Sequence, residues 1–203
     1  MASDREVRKF VRQWRKRYPM PVDWADDRAN KQYRRSESAW LAQFLGASVL
    51  KRRQVNALIQ WRFADQADLR AQALHGIDGP AAWGHARRCI KKALAEASST
   101  GALDHLLGEH GGVPGWGPAM ASVVLAACRP HTYTVADRRA VRSLVALGRF
   151  SPHSGGEFVR ADWYPYLSAC REIAEICGVP LRTVDQALWA GADAAPELPK
   201  KPG

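Results

Sequence analysis

Helical periodicity constrains this chain more than any other feature. Between its glycine and proline breaks, segment after segment repeats apolar residues at three- and four-residue spacing, and no strand-period stretch exceeds TYTV at 132–135. That pattern predicts an all-α fold of about ten helices. No fixed-period repeat is present. In DREVRKFVRQWRKRY, Val7, Phe10, Val11, Trp14 and Tyr18 share one stripe, while Arg8, Arg12, Arg15 and Lys16 lie elsewhere on the cylinder. A helix lying on a membrane surface has the same pattern. Apolar stripes farther along the chain favour docking of this helix onto a core.

After the turn-rich YPMPVDW, Ser36 or Ser38 is placed to cap a helix carrying Trp40, Leu41, Phe44 and Leu45. Val55, Leu58 and Ile59 mark a helix from Arg52 to Phe63. Asp65 opens a short one through Leu74, ended by Gly76 and Gly79, and Pro80 suits the first turn of the next, which runs to about Ala97. Leu103, Leu106 and Leu107 predict a short helix, followed later by helices at Asp137–Leu147, Asp162–Cys177 and Leu181–Ala190. SPHSGGEF reads as a loop. Residues 1–190 are expected to form one all-α unit, or two helical lobes, and residues 191–203 a disordered tail rich in proline and small residues.

Charge narrows the partner. The 203 residues are 46% hydrophobic, which excludes global disorder, and they carry a net charge of +10. That excess favours a polyanion, nucleic acid before an anionic membrane. It is unevenly placed: +8 over residues 1–60, +4 over 61–150 and −2 over 151–203. The first half is therefore expected to build the cationic face. Cys89, Cys128, Cys170 and Cys177 contain no CxxC pair, so the expectation is free thiols with no metal and no cofactor. No apolar run approaches the roughly 18 residues of a membrane span, and the basic N-terminus leads into an amphipathic pattern. A cytoplasmic, soluble monomer without an obligate protein partner is expected.

The stretch GVPGWGPAMASVVLAACRPHTYTVAD, residues 112–137, carries the chemistry. Gly112, Gly115 and Gly117 allow a tight hairpin, and Pro118 opens the following helix at a position where no amide hydrogen bond is lost. A helix N-terminus beside a glycine turn offers bare amides to phosphate oxygens without reading base sequence. A plain turn between two helices is the ordinary alternative. Asp137 precedes RRAVR, where it suits the N-cap of a helix.

The order V-P-G-W-G-P-A-M-A-S-V-V-L, with twelve steps from Leu125 to Asp137 and then R-R-A-V-R, resembles the helix-hairpin-helix DNA glycosylases of base excision repair. Val113, Pro114, Gly115, Gly117 and Ala121 match that family's hairpin, TYTV its extended stretch, and the final VDQALW its closing helix. The detailed resemblance spans about 40 residues. It implies double-stranded DNA as partner, and Asp137 as the acid that stabilises an oxocarbenium-like sugar while a flipped base is hydrolysed off. It implies DNA contacts at Gly112, Val113, Gly115, Trp116 and Gly117, with Trp116 at the hairpin tip and placed to lie on the sugar-phosphate backbone. Arg138, Arg139 and Arg142 follow Asp137 and are candidates for flanking phosphates, exposed-face arginines being equally ordinary.

Two departures from the family pattern matter. Ala119 stands where lyase members carry a lysine, so β-lyase chemistry through that usual lysine is excluded and a monofunctional hydrolase is implied, a bifunctional lyase being disfavoured. Lys91 and Lys92 read as solvated helix charge. Cys170 and Cys177 have only the first spacing of an iron-sulfur motif, and packing on one helical face accounts for them. Trp40, Trp61 and Tyr133 are weak candidates for a base pocket, with core packing the commoner fate of such rings. His131 shares the approach to the acid and reads as structural. A DNA-binding module that keeps the hairpin without catalysis is the alternative.

Overall fold

The computed structural model describes residues 1–18, 27–153 and 158–195, with 27–31 described by backbone alone. Among these residues are ten α-helices and no sheet, the only bridge being an isolated one between Leu107 and Val113. The all-α expectation therefore holds. No helix among them is long and apolar enough to cross a membrane. The chain divides into two compact units, Met1–Gln43 with Ala136–Gly203, and Phe44–Val135.

The first unit is built around its last helix. Helices α1 (Asp4–Trp14), α8 (Arg138–Ala146) and α9 (Trp163–Cys177) all pack on α10 (Leu181–Gly191), and α2 (Asp27–Ala42) belongs to the same unit. Ser3 starts α1 through a capping box: its hydroxyl accepts from the Glu6 amide, and its own amide donates to the Glu6 carboxylate at 2.7 Å. Val7, Val11, Trp14 and Tyr18 are buried, so the docked-stripe reading stands; Phe10 is half-buried. In α9, Trp163, Tyr166, Leu167, Cys170 and Ile173 repeat at three- and four-residue steps and are all buried.

The second unit contains α3 (Arg52–Arg62), α4 (Ala67–His75), α5 (Gly79–Ala95), α6 (Ser99–Asp104) and α7 (Pro118–Cys128). Helix α7 is its centre, with Met120 to Leu125 buried without a break. Full burial on every side explains why α7 is apolar all round rather than along one stripe. Arg129 follows it and donates to the carbonyls of Ala47 at 3.0 Å and Leu94 at 3.4 Å, joining the start of this unit to the end of α5.

Several sequence expectations need correction. Ser36 and Ser38 cap nothing, because α2 begins at Asp27 and both lie inside it. Helix α6 ends at Asp104, so Leu106 and Leu107 stand in the turn after it, fully buried. Residues 191–195 are ordered: α10 runs to Gly191 and a 3-10 turn covers Ala192–Ala194. Asp193 there is held by Arg139 at 2.7 Å. The remainder of the expected tail, most of YPMPVDW and the centre of SPHSGGEF lie outside the described residues.

Candidate functional site

The hairpin is assembled by backbone contacts. The amides of Gly112 and Val113 donate to Leu107 and Leu106, and Gly108 donates to the Trp116 carbonyl at 2.9 Å, closing a loop between α6 and α7. Gly115 has φ +77°, and a Cβ there would lie 2.5 Å from the Gln72 carbonyl oxygen. Left-handed backbone and close approach therefore both demand glycine at 115. Gly112 is packed as tightly, and its carbonyl accepts from His85 Nε2 at 2.7 Å. By contrast, Gly117 is exposed, and a Cβ there would meet nothing within 4 Å.

What this turn offers a ligand is a set of amides. Among the described residues, the N–H groups of Gly115, Gly117 and Ala119 donate no hydrogen bond, while the Gly117 carbonyl already accepts from Met120 and Ala121. Gly115 and Gly117 are exposed and Ala119 is half-buried. Such groups at the start of an eleven-residue helix carry partial positive charge and suit an anionic oxygen.

Trp116 departs from its expected place on a DNA backbone. Its side chain is only 2% exposed, and its indole N–H donates to the Ala73 carbonyl at 3.0 Å. That carbonyl belongs to the last turn of α4, where no intrahelical amide reaches it. Trp116 thus closes a helix end and fixes the hairpin to α4. Val113 is fully buried, so it shapes the hairpin from inside. Tyr133 is 5% exposed and sits with the half-buried Trp61 in the second unit, whereas Trp40, also half-buried, belongs to the first. His131 is exposed.

Asp137 is the N-cap of α8, with its carboxylate accepting from the Arg139 amide at 2.8 Å. It is half-buried. The arginines after it divide by role. Arg139 stacks over the Trp189 ring at 4.2 Å, donates to the Trp189 carbonyl and pairs with Asp193; Arg142 donates to the Ala195 carbonyl at 2.8 Å. The two guanidinium groups thus hold the last turn of α10 and the chain that follows it. Arg138 is exposed and makes no ion pair among the described residues.

Next to Asp137 lies a buried polar network that sequence reasoning missed. Arg182 contacts the Asp185 carboxylate on one side and lies 2.7 Å from Glu37 Oε2 on the other. Tyr18 donates to Glu37 at 2.7 Å and Gln186 to the same carboxylate at 2.9 Å. Burial pushes the Asp185 carboxyl up to about 6; Arg182 opposes the shift, and the charges of Asp137 and Glu37 add to it. Burial also raises the Tyr166 phenol, with Cys170, Asp185 and Asp137 contributing. The available signal was in VDQALW. Asp185 and Gln186 lie among apolar positions of a helix whose two neighbouring turns carry Leu181, Val184 and Leu188.

The four cysteines are free, as expected, and burial raises the Cys128 thiol to about 11. Among the described residues, no group of three or more His, Cys, Asp or Glu side chains is placed to hold a metal ion. No family model matches the chain, and no curated protein and no solved structure matches it.

Proposed function

We propose that this chain is a monofunctional DNA glycosylase, which hydrolyses the N-glycosidic bond of a damaged or modified base and leaves an abasic site. The observation that carries the reading is the trio of uncommitted amides at Gly115, Gly117 and Ala119, in a hairpin followed at glycosylase spacing by Asp137. The hairpin would take phosphate oxygens of duplex DNA. The Asp137 carboxylate would stabilise the positive charge that develops on the sugar and orient the attacking water. Ala119 has no amine, so the reaction would end at hydrolysis. A net charge of +10 supports a polyanionic partner.

One observation favours a second reading, a helix-hairpin-helix DNA-binding protein without catalysis. The N-cap bond to Arg139 gives Asp137 a structural reason to exist. Incubation with duplexes carrying alkylated, oxidised, deaminated and mismatched bases separates the two. Strand breaks that appear only after alkali support hydrolysis. Tight, salt-sensitive binding with no breaks on any substrate supports the binding module. Breaks without alkali, with borohydride trapping, would overturn the assignment to a lysine-free mechanism.

A further inference from the structure

A cavity of about 210 Å³ opens in the second unit beside the hairpin, lined by His85, Arg88, Lys92, His105, His110 and Gly112 among others. A space of that size is enough for one tetrahedral oxyanion. His85, Arg88 and Lys92 follow at three- and four-residue steps on one face of α5, so their side chains converge. His105 and His110 come from the segment that leads into the hairpin. No carboxylate is among the lining residues.

Like charges four apart on a helix repel, by a few tenths of a kcal/mol per pair, and proteins usually relieve this with a neighbouring acid. Here they do not. Arg88 and Lys92 make no ion pair among the described residues, and both are exposed. The nearby acids are engaged at the imidazoles: Glu96 lies 3.7 Å from His105, and Glu109 lies 3.6 Å from His110.

A cation is the wrong occupant. His85 and Cys89 approach within 3.5 Å, which would suggest a soft metal, yet His85 Nε2 already serves the Gly112 carbonyl. No metal-holding group occurs among the described residues, and two permanent positive charges face the same space.

We propose that this cavity is a phosphate subsite, in which Arg88, Lys92, His105 and His110 bind one phosphate group while His85 ties the α5 wall to the hairpin at Gly112. The inference needs neither Asp137 nor a flipped base, so it stands or falls separately from the excision reading. Its ligand chemistry is shared by a DNA backbone phosphate and a free phosphate.

The test is a titration of the full chain with inorganic phosphate near neutral pH, following histidine side-chain resonances against a chloride control of equal ionic strength. The His105 and His110 signals should move with phosphate only. An Arg88→Gln/Lys92→Gln double variant, changed only at exposed positions, should weaken binding by about tenfold or more, because it loses two charge-assisted donors. His110→Ala, read the same way, should weaken it several-fold and serves if the double variant melts early. Histidine signals that respond equally to chloride, or a folded variant that binds phosphate as the parent does, would overturn the proposal. Release of bound phosphate on adding duplex DNA assigns the subsite to the nucleic-acid backbone. Retention with DNA bound assigns it to free phosphate.

Discussion

The indole N–H of Trp116 donates to the carbonyl of Ala73, 3.0 Å away and 43 residues earlier in the chain. This one bond closes the C-terminal end of α4 and sets the hairpin against it. Trp116→Phe keeps most of the apolar contact but leaves a buried carbonyl unpaired, at a cost of about 1–3 kcal/mol. Trp116→Ala adds a cavity and should cost about 3–5 kcal/mol. Urea unfolding of both variants measures the difference. Equal, negligible losses would show that the tryptophan does not anchor the turn.

Gly115 and Gly117 should separate folding from binding. Alanine at 115 meets both a φ of +77° and a carbonyl 2.5 Å away, so it should destabilise the second unit by a few kcal/mol. Alanine at 117 has φ −97° and open space, so stability should change by under about 1 kcal/mol. Its methyl would nevertheless stand among the uncommitted amides and weaken duplex binding. Melting curves and a DNA titration of the same two proteins check this. Unchanged affinity in Gly117→Ala would remove the hairpin amides from the interface.

Substitution of Asp137 distinguishes its capping role from the proposed chemical one. Asn still accepts from the Arg139 amide, so Asp137→Asn should retain stability within a few tenths of a kcal/mol, whereas Asp137→Ala should lose about 1 kcal/mol. Excision should vanish in both, with DNA affinity kept. Single-turnover assays beside thermal melts give the comparison, and full activity in the Asn variant would confine the residue to capping.

Arg182 lies between two buried carboxylates, Asp185 and Glu37. Removing one partner of a buried ion pair leaves uncompensated charge, which outweighs the desolvation the arginine itself no longer requires. Arg182→Met should therefore destabilise the first unit by about 3–5 kcal/mol. A Glu37→Gln/Arg182→Met double variant should recover part of that loss. Denaturant titration of the set tests the coupling; simple additivity would argue against it.

The Asp185 carboxyl is raised by burial from an ordinary 3.8 to about 6, so the folded chain holds this proton more tightly than the unfolded chain does. Its ionisation therefore costs stability as pH climbs from about 4 to about 6, and the cost is fully present above that window. In Asp185→Asn this contribution disappears. The stability of the parent relative to the variant should fall across the same range in a urea series at stepped pH. A difference that stays flat would show that the acid titrates normally.

Legibility in the sequence followed physical locality. The apolar period of α1, the proline that starts α5 and the N-cap at Asp137 are decided within a turn or two of the residue concerned, and all could be read directly. Ser36 and Ser38 misled because a serine inside a helix looks like a cap when the upstream turns are polar. Trp116 misled because the hairpin resemblance placed it at a tip, while the acceptor that buries it lies 43 residues away. Arg139 and Arg142 read as phosphate candidates from their place just after Asp137, where their internal partners are not visible. Their partners in the fold lie some 50 residues later, at Trp189 in α10 and at Asp193 and Ala195 in chain expected to be disordered.

By itself the sequence determined that the chain is helical, where most helices begin and end, and that a glycine hairpin precedes a capped acid. Those outcomes depend on backbone propensity and on side-chain spacing along one cylinder. Only the tertiary structure decided which charges are spent internally and which face a cavity. It placed Asp185 and Glu37 in the interior with Arg182, and it left Arg88 and Lys92 without acids beside the hairpin. The reason is that a charge's energy depends on its burial and on partners distant in sequence, and neither is written in the residues next to it.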